Sequence, residues 1–163
     1  GDGAWQFEYP ALGEEIELGQ VSRHGTGKDL AIVTYGNGYY LSRQAEQILR
    51  DEHGIDCRVI DLHWMLPLPE DALLRELDGC DSVLVVDECR KTGSISEQLV
   101  TLFVEKLSPL PSIRVHAAED SFIPLGATAT VTLPSRESIV ENALNLVKKS
   151  RGTARKPAAR SRS

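Results

Sequence analysis

Short apolar runs alternate with longer amphipathic segments through the middle of the chain. In the amphipathic segments, apolar residues recur every three or four positions, which is the spacing of one helix face. The short runs are rich in β-branched residues and end near glycine, proline or acidic residues, which is typical of buried strands. They predict strands at 30–35, 57–62, 82–86 and 113–117. Because strands and helices alternate, we predict an α/β fold: a three-layer α/β/α sandwich with a mostly parallel central sheet.

Specific residues mark the ends of the predicted helices. Gly54 is a stop signal for the first helix, and Pro69, followed by two acidic residues, indicates the start of the second. Ser94 and Glu97 have the spacing of a capping box, in which the serine accepts a bond from an early backbone N–H and the glutamate reaches back. Ser135 is the predicted N-cap of the last helix. These signals predict four helices.

By composition, the chain divides into three parts. Residues 1–28 contain proline, several glycines and no sustained period, so we predict a linker or strap from a preceding domain, with alternating aromatic residues at 5–9. Residues 29–147 form the predicted domain. Residues 148–163 carry seven of the 18 lysines and arginines and no acidic residue, which predicts a disordered basic tail. Since the only methionine lies in mid-chain, we expect this to be a piece of a longer protein.

The overall composition is that of an ordinary globular protein, with 41% hydrophobic and 26% charged residues. The net charge is −6, and all the acidic residues precede the basic tail, so the body of the protein repels nucleic acid and we expect no nucleic-acid partner. No run approaches the ~20 apolar residues of a membrane span, and no leader sequence is visible. We therefore expect a cytoplasmic protein with no membrane partner.

Several motifs that carry chemistry in other proteins are weak here. Three cysteines without CxxC spacing argue against a disulfide framework and against a zinc site, and Cys89 is placed in a loop after the third strand. Asp61, Asp87 and Glu88 could together bind Mg²⁺, but the first strand has no acid at its tip, so we predict no metal site. The glycines of 36–38 fit no phosphate-binding motif and favour a tight turn.

Polar and aromatic residues gather where the second and third predicted strands end. The carboxyl ends of parallel strands share one edge of the sheet, and ligands and partners bind at that edge. We therefore select these residues as candidates for a substrate entrance or an interface. They are Asp61, His63, Trp64, Asp87, Glu88 and Arg90. His63 suits proton transfer or orientation of a substrate carboxylate near neutral pH, and the alternative is a loop histidine at a subunit contact.

Four motifs, in order along the chain, resemble those of one enzyme family. Residues 29–36 are similar to its opening strand and turn, and 59–71 resemble its IDLRTLxPLD segment. Residues 85–97 resemble its VDExxxTGGxGAE segment, and 133–135 match a short LP segment before the last helix. From about residue 28 to residue 147, the chain resembles the C-terminal domain of the transketolase superfamily. The beta subunits of thiamine-diphosphate-dependent 2-oxo acid dehydrogenases, of the pyruvate and branched-chain types, have the most similar motifs.

The chain departs from this family pattern at a few positions. His63 and Trp64 stand where arginine and threonine are usual, and Ser94 replaces a glycine. Residues 122–126 read Phe-Ile-Pro-Leu-Gly where the dehydrogenase beta subunits more often carry a Pro-x-Pro segment. This segment is also similar to deoxyxylulose-phosphate synthase, so the branch within the superfamily stays open.

The resemblance implies a parent enzyme that uses thiamine diphosphate and Mg²⁺ to decarboxylate a 2-oxo acid and passes the acyl group to a lipoyl arm. In this family the cofactor lies between pyrophosphate-binding and pyrimidine-binding domains, whose signatures are missing here. We therefore expect no catalytic or cofactor-binding residue in this chain, and no activity from it alone. The implied partners are those domains or subunits, a second copy of the domain and, in some members, the lipoyl acyltransferase core. The implied roles are dimer contact and shaping of the substrate entrance.

Two alternatives remain open from the sequence. One is the C-terminal domain of a transketolase or a deoxyxylulose-phosphate synthase. The other is a stand-alone binding module of flavodoxin-like layout, which would use the acidic residues at the strand tips to bind a metal or a nucleotide.

Overall fold

The computed structural model of the chain describes residues 16–124, 128 and 130–154. These residues contain five strands and four helices. The strands are β1 (Ser22–His24), β2 (Leu30–Thr34), β3 (Cys57–Asp61), β4 (Ser82–Arg90) and β5 (Ser112–Ala118). The helices are α1 (Asn37–His53), α2 (Glu70–Leu77), α3 (Ile95–Lys106) and α4 (Arg136–Ala154). None of these helices is long and apolar enough to cross a membrane.

The strands form one sheet in the order β1-β3-β2-β4-β5. β2 is parallel to both β3 and β4, and β4 is parallel to β5, whereas β1 is antiparallel to β3. In this register Thr34 at the end of β2 lies opposite Asp61 at the end of β3. The four parallel strands therefore end at the same edge, and the predicted mostly parallel sheet is confirmed.

Helices cover both faces of this sheet because successive residues of a strand point to opposite sides. Leu30 and Ile32 pack with residues of α1 and α4. Ala31 and Val33 pack with residues of α2 and α3. All four are fully buried, so the central strand contributes to two separate cores. The arrangement confirms the predicted three-layer α/β/α sandwich.

The edge strand β1 is a feature that the sequence analysis missed. Residues 1–28 were predicted to be a linker, but Ser22–His24 pair with β3 as part of the sheet. Three residues are too few to show a hydrophobic period. The loop after β1 is held by the buried guanidinium of Arg58, which donates hydrogen bonds to the carbonyls of Thr26 and Gly27. The aromatic residues at positions 5–9 lie outside the described residues.

The third predicted strand is longer than the sequence indicates. It was predicted to end at Val86, but β4 continues to Arg90, so Cys89 lies in a strand and not in a loop. The extension pairs with β5, with Asp87 opposite Ala117 and a register shift before Arg90. The extension was missed because most of its residues are polar, and strands are recognised in a sequence mainly by their apolar residues.

The last helix is also longer than predicted. A disordered basic tail was predicted from residue 148, but α4 continues to Ala154. Basic residues favour the end of a helix because they compensate the negative end of its dipole. Arg151, in the last turn, also forms an ion pair of 3.1 Å with Asp29. Residues 155–163 of the predicted tail lie outside the described residues.

Candidate functional site at the carboxyl edge of the sheet

A cleft of about 500 Å³ lies at the carboxyl edge of the sheet, and we refer to it as the carboxyl-edge cleft. Tyr35 lines it just after β2, and 88–90 line it at the end of β4. Ala118 lines it at the end of β5, while Met65 and Ile123 contribute apolar surface from the β3–α2 and β5–α4 loops. Two of the predicted candidates, Glu88 and Arg90, belong to this cleft.

Asp87 is the central polar residue of this region and is fully buried. The hydroxyl of Tyr35 donates a hydrogen bond of 2.5 Å to its Oδ1, and the backbone N–H of Cys89 donates to the same oxygen at 2.8 Å. Its Oδ2 accepts a bond of 3.3 Å from the backbone N–H of Ser96. These three donors compensate for the cost of burying the carboxylate.

Asp87 also stabilises the start of α3, because its negative charge lies at the positive end of the helix dipole. The predicted capping box is only partly present. Glu97 Oε2 accepts a bond of 3.0 Å from the backbone N–H of Gly93. Ser94, however, makes no side-chain cap bond, and its hydroxyl lies 2.6 Å from that of Ser96. The prediction that Ser94 caps α3 is therefore wrong, since an acid from a neighbouring strand accepts the bond.

Tyr35 is a residue of the site that the sequence analysis did not select. Burial raises the pKa of its phenol, and its hydrogen bonds to Asp87 and Cys89 act in the same direction. The phenol therefore stays protonated and acts as a donor. Its hydroxyl also lies 3.4 Å from Sγ of Cys89. No sequence signal reveals this role, because the partner carboxylate is 52 positions away.

Glu88 and Arg90 differ in their surroundings although both line the cleft. Glu88 is half-buried, and a side chain at Gly36 would come within 3.9 Å of its Oε2. Arg90 is exposed, and its Nε donates a bond of 3.3 Å to the carbonyl of Thr92. Thr92 in turn donates its backbone N–H and its hydroxyl to the carboxylate of Asp120. The loop after β4 is thus tied to the loop after β5.

Asp61 and His63 form a second group beside β1. Nε2 of His63 lies 2.8 Å from Oγ of Ser22, and Nδ1 lies 3.9 Å from Oδ2 of Asp61. His63 has a φ of 53°, in the left-handed region that residues other than glycine seldom adopt. Burial raises the pKa of Asp61, while the neighbouring His63 opposes this change. Neither Asp61 nor His63 lines the carboxyl-edge cleft, so the predicted candidates separate into two groups.

Apolar side chains are exposed on the two loops next to the cleft. Trp64, Met65 and Leu66 are exposed in the β3–α2 loop, and Phe122 and Ile123 are exposed in the β5–α4 loop. Leu66 is 91% exposed and Phe122 is 99% exposed. We refer to these five residues as the apolar rim. Contiguous apolar surface is typical of an interaction site.

The described residues do not assemble a metal site from the acids at the strand tips. Within 16–124, 128 and 130–154, no group of three or more histidine, cysteine, aspartate or glutamate side chains is arranged to hold a metal ion. Asp61 pairs with His63, while the carboxylate of Asp87 is occupied by three internal donors. Asp61, Asp87 and Glu88, the three acids that were considered for Mg²⁺, are therefore not part of one metal-binding group.

Residues 19–129 match the sequence profile of the family described as "Transketolase, C-terminal domain". The chain belongs to this family. The match confirms the resemblance that the four ordered motifs indicated. It includes β1, which supports the observation that this strand is part of the domain.

Curated relatives include two types of enzyme. The chain is 31% identical to the pyruvate dehydrogenase E1 component subunit beta of Bacillus subtilis (strain 168), over 86% of this chain and 43% of the relative. It is 29% identical to the 1-deoxy-D-xylulose-5-phosphate synthase of Halothermothrix orenii, over 81% of this chain and 21% of the relative. The chain thus spans less than half the length of these relatives.

Solved structures share the fold. A structure described as "Split gene transketolase, inactive beta4 tetramer" matches with a TM-score of 0.73 at 20% identity, over 86% of this chain and 45% of its own. A 2-oxoglutarate:ferredoxin oxidoreductase from Magnetococcus marinus matches with a TM-score of 0.56 at 19% identity, over 78% of this chain and 20% of its own. At these identities the likeness is one of fold.

Proposed function

We propose that this chain is the C-terminal domain of the decarboxylase component of a thiamine-diphosphate-dependent 2-oxo acid dehydrogenase. The complete enzyme oxidatively decarboxylates a 2-oxo acid and transfers the acyl group to a lipoyl group. The domain contacts the neighbouring domains or subunits and shapes the entrance to their active site. Membership of the family and the alignment with pyruvate dehydrogenase beta subunits over 86% of the chain support this proposal.

The observation that carries the proposed role is the internal use of Asp87. This fully buried carboxylate accepts hydrogen bonds from Tyr35, Cys89 and Ser96, which belong to the end of β2, the end of β4 and the start of α3. A carboxylate bound in this way is not available to act on a substrate. It holds three segments around the carboxyl-edge cleft, so its contribution is to fix the shape of that cleft.

We place thiamine diphosphate and Mg²⁺ in parts of the enzyme outside this chain. A diphosphate-bound magnesium ion needs several oxygen ligands at one point. Within the described residues no such group of acidic side chains is assembled, and the acids at the strand tips do not fit the ion. The cofactor supplies the carbanion chemistry of decarboxylation when it is bound, while the residues described here position the cleft.

The apolar rim supports the proposed contacts with other parts of the enzyme. Leu66 and Phe122 expose almost their entire side chains, which is costly unless a partner covers them. We propose that the pyrimidine-binding and pyrophosphate-binding domains are partners of this chain. A second copy of the domain and the lipoyl acyltransferase core are further partners in this proposal.

Calorimetric titration tests the assignment of the cofactor site. The isolated chain is titrated with thiamine diphosphate in the presence of Mg²⁺, and the complete decarboxylase component is titrated as the positive control. We expect binding only to the complete component. Micromolar binding to the isolated chain would contradict the proposal.

An assay of the complete enzyme distinguishes the proposed reaction from a second candidate, which the relative from Halothermothrix orenii favours. The enzyme is incubated with pyruvate or a branched-chain 2-oxo acid, a lipoyl-bearing domain and D-glyceraldehyde 3-phosphate as the alternative acceptor. Acylation of the lipoyl group is measured by mass spectrometry. Acylation supports the dehydrogenase assignment. Synthesis of 1-deoxy-D-xylulose 5-phosphate in its place overturns that assignment.

A further inference from the structure

We propose that Arg90 recognises the carboxylate of an incoming substrate at the mouth of the carboxyl-edge cleft. The inference rests on the proposed function and adds to it a residue that selects anionic substrates. It concerns substrate capture and not the chemical step.

Arg90 occupies a position between two hollows. It lines the carboxyl-edge cleft of about 500 Å³ and also an adjoining hollow of about 350 Å³, whose other walls include Phe122 and Asp120. Its Nε donates to the carbonyl of Thr92 at 3.3 Å, which fixes one side of the guanidinium. Among the described residues its two terminal nitrogens form no ion pair with a carboxylate. Within that part of the chain they are available to donate to a ligand.

The neighbouring acid, Asp120, is bonded to Thr92. The backbone N–H of Thr92 donates to Oδ1 of Asp120 at 3.2 Å, and its hydroxyl donates to Oδ2 at 2.7 Å. These two bonds lower the pKa of Asp120, and the charge of Arg90 contributes less. Both carboxylate oxygens of Asp120 are thus bonded to Thr92, and among the described residues no hydrogen bond joins Asp120 to the guanidinium of Arg90.

The shape and charge of the cleft indicate the class of ligand. A planar guanidinium binds a carboxylate with two parallel hydrogen bonds. Met65 and Ile123 provide apolar walls in the same cleft, and Glu88 and Glu119 also line it. A ligand with one carboxylate and a small apolar substituent can bind its charge at Arg90 and place its apolar part against Met65 and Ile123. A 2-oxo acid has this chemistry.

Steady-state kinetics of the complete enzyme test the inference, with pyruvate and 3-methyl-2-oxobutanoate as substrates. We expect Arg90→Gln to raise KM roughly tenfold or more with kcat within about twofold, because a charge-assisted contact to the substrate is lost before the chemical step. Arg90→Lys keeps the charge but loses the fork, so an intermediate KM is expected. Lys91→Gln is the matched control, because it removes the same charge from a side chain that lines a different hollow.

Salt dependence provides a readout that a purely structural role would not affect. Attraction of an anion by an exposed guanidinium weakens as ionic strength rises. We expect kcat/KM of the wild type and of Lys91→Gln to fall with added salt, and kcat/KM of Arg90→Gln to change much less. The urea unfolding midpoint of Arg90→Gln should match that of the wild type, since Arg90 makes a single exposed hydrogen bond.

The outcomes separate this inference from the function on which it rests. If the wild type acylates the lipoyl group but Arg90→Gln and Arg90→Lys keep the wild-type KM and salt dependence, the role of Arg90 is wrong and the proposed function stands. If the wild type decarboxylates no 2-oxo acid, both the role of Arg90 and the proposed function are wrong. A KM that rises equally in Lys91→Gln also contradicts the inference, since it shows an effect of net charge alone.

Discussion

The phenol of Tyr35 and the carboxylate of Asp87 lie 2.5 Å apart, although 52 positions separate them in the sequence. Tyr35 directly follows β2, and Asp87 lies in the neighbouring strand β4. The bond therefore joins two parallel strands at their carboxyl ends. Since Asp87 also binds the first turn of α3, one side chain connects the cleft wall, the strand and the helix.

Replacement of Asp87 should destabilise the fold. In Asp87→Asn, one of the two acceptor oxygens becomes an NH₂ group, so at least one buried donor loses its partner. We expect the free energy of unfolding to fall by about 2–4 kcal/mol. Urea unfolding followed by circular dichroism measures the change. Asp120→Asn is the control, because it alters an acid of the same region that is exposed. Equal losses in the two variants would show that burial of Asp87 is not the cause.

Alkaline pH should weaken the fold through Tyr35. Burial and the bond to Asp87 raise the pKa of the phenol, so the unfolded chain releases this proton at a lower pH than the folded chain does. The contribution of the Tyr35 phenol to the free energy of unfolding is therefore fully present below about pH 10 and is lost as the pH rises further. We expect the unfolding midpoint in urea to fall more steeply between about pH 9.5 and 11 for the wild type than for Tyr35→Phe. Parallel curves for the two proteins would contradict this prediction.

Acidic pH should weaken the contact between β5 and α4 through His116. Burial lowers the pKa of His116, and the charge of Arg114 acts in the same direction, while Glu141 opposes them. Its Nε2 lies 2.7 Å from Oγ of Ser138 in the first turn of α4. In the unfolded chain His116 binds a proton more readily than in the folded chain. The contribution of neutral His116 to the free energy of unfolding is therefore present above about pH 6.5 and is lost as the pH falls below it.

Comparison with His116→Gln measures this effect. Glutamine cannot titrate but keeps a polar group near Ser138. We expect the stability of the wild type to fall more than that of the variant between about pH 7 and 5, as measured by urea unfolding. The idea fails if the variant shows the same pH dependence, because the titrating group must then be another one.

Replacement of Arg58 should destabilise the fold even when the new residue is lysine. It is a buried arginine whose Nε, Nη1 and Nη2 donate to the carbonyls of Gly27, Glu76 and Thr26 at 2.6, 2.7 and 3.2 Å. Lysine cannot reproduce this fork, so Arg58→Lys should lower the free energy of unfolding by about 2–3 kcal/mol.

The matched control for this change is Arg23→Lys. Arg23 pairs with Glu76 at 2.8 Å near the surface, where the side chain is 40% exposed. Exposed ion pairs contribute at most about 1 kcal/mol, so the control should be nearly neutral. If thermal and urea unfolding show that Arg58→Lys is as stable as Arg23→Lys, the three carbonyl bonds do not hold the loop after β1.

The sequence predicted the elements whose signals are local. The strands at 30–35, 57–62 and 113–117 were found from their short runs of apolar residues, and the end of α1 was found because glycine is a stop signal. In the structure Gly54 has a φ of 60°, which glycine adopts readily. The strand β1 was missed because it is short, and the end of β4 was missed because it is polar. In both cases pairing with a neighbouring strand, and not local composition, makes the strand.

The candidate site was only partly predictable for the same reason. Asp87, Glu88 and Arg90 were selected from their position after an apolar run, and the structure places all three at the carboxyl edge. Asp61 and His63 were selected by the same rule but lie in a separate group with Ser22. Tyr35 was not selected, because its role depends on a distant carboxylate.

By itself, the order of apolar and polar residues determined an α/β/α sandwich and the edge of the sheet where function is expected, while four short motifs indicated the family. These features follow from periodicity and from short motifs, which are written in neighbouring residues. Only the tertiary structure decided that Asp87 is an internal cap for α3, that Tyr35 is its donor and that Arg90 lines the cleft. Those properties depend on which side chains the sheet brings within hydrogen-bond distance, and a pattern of neighbouring residues in the sequence does not contain this information.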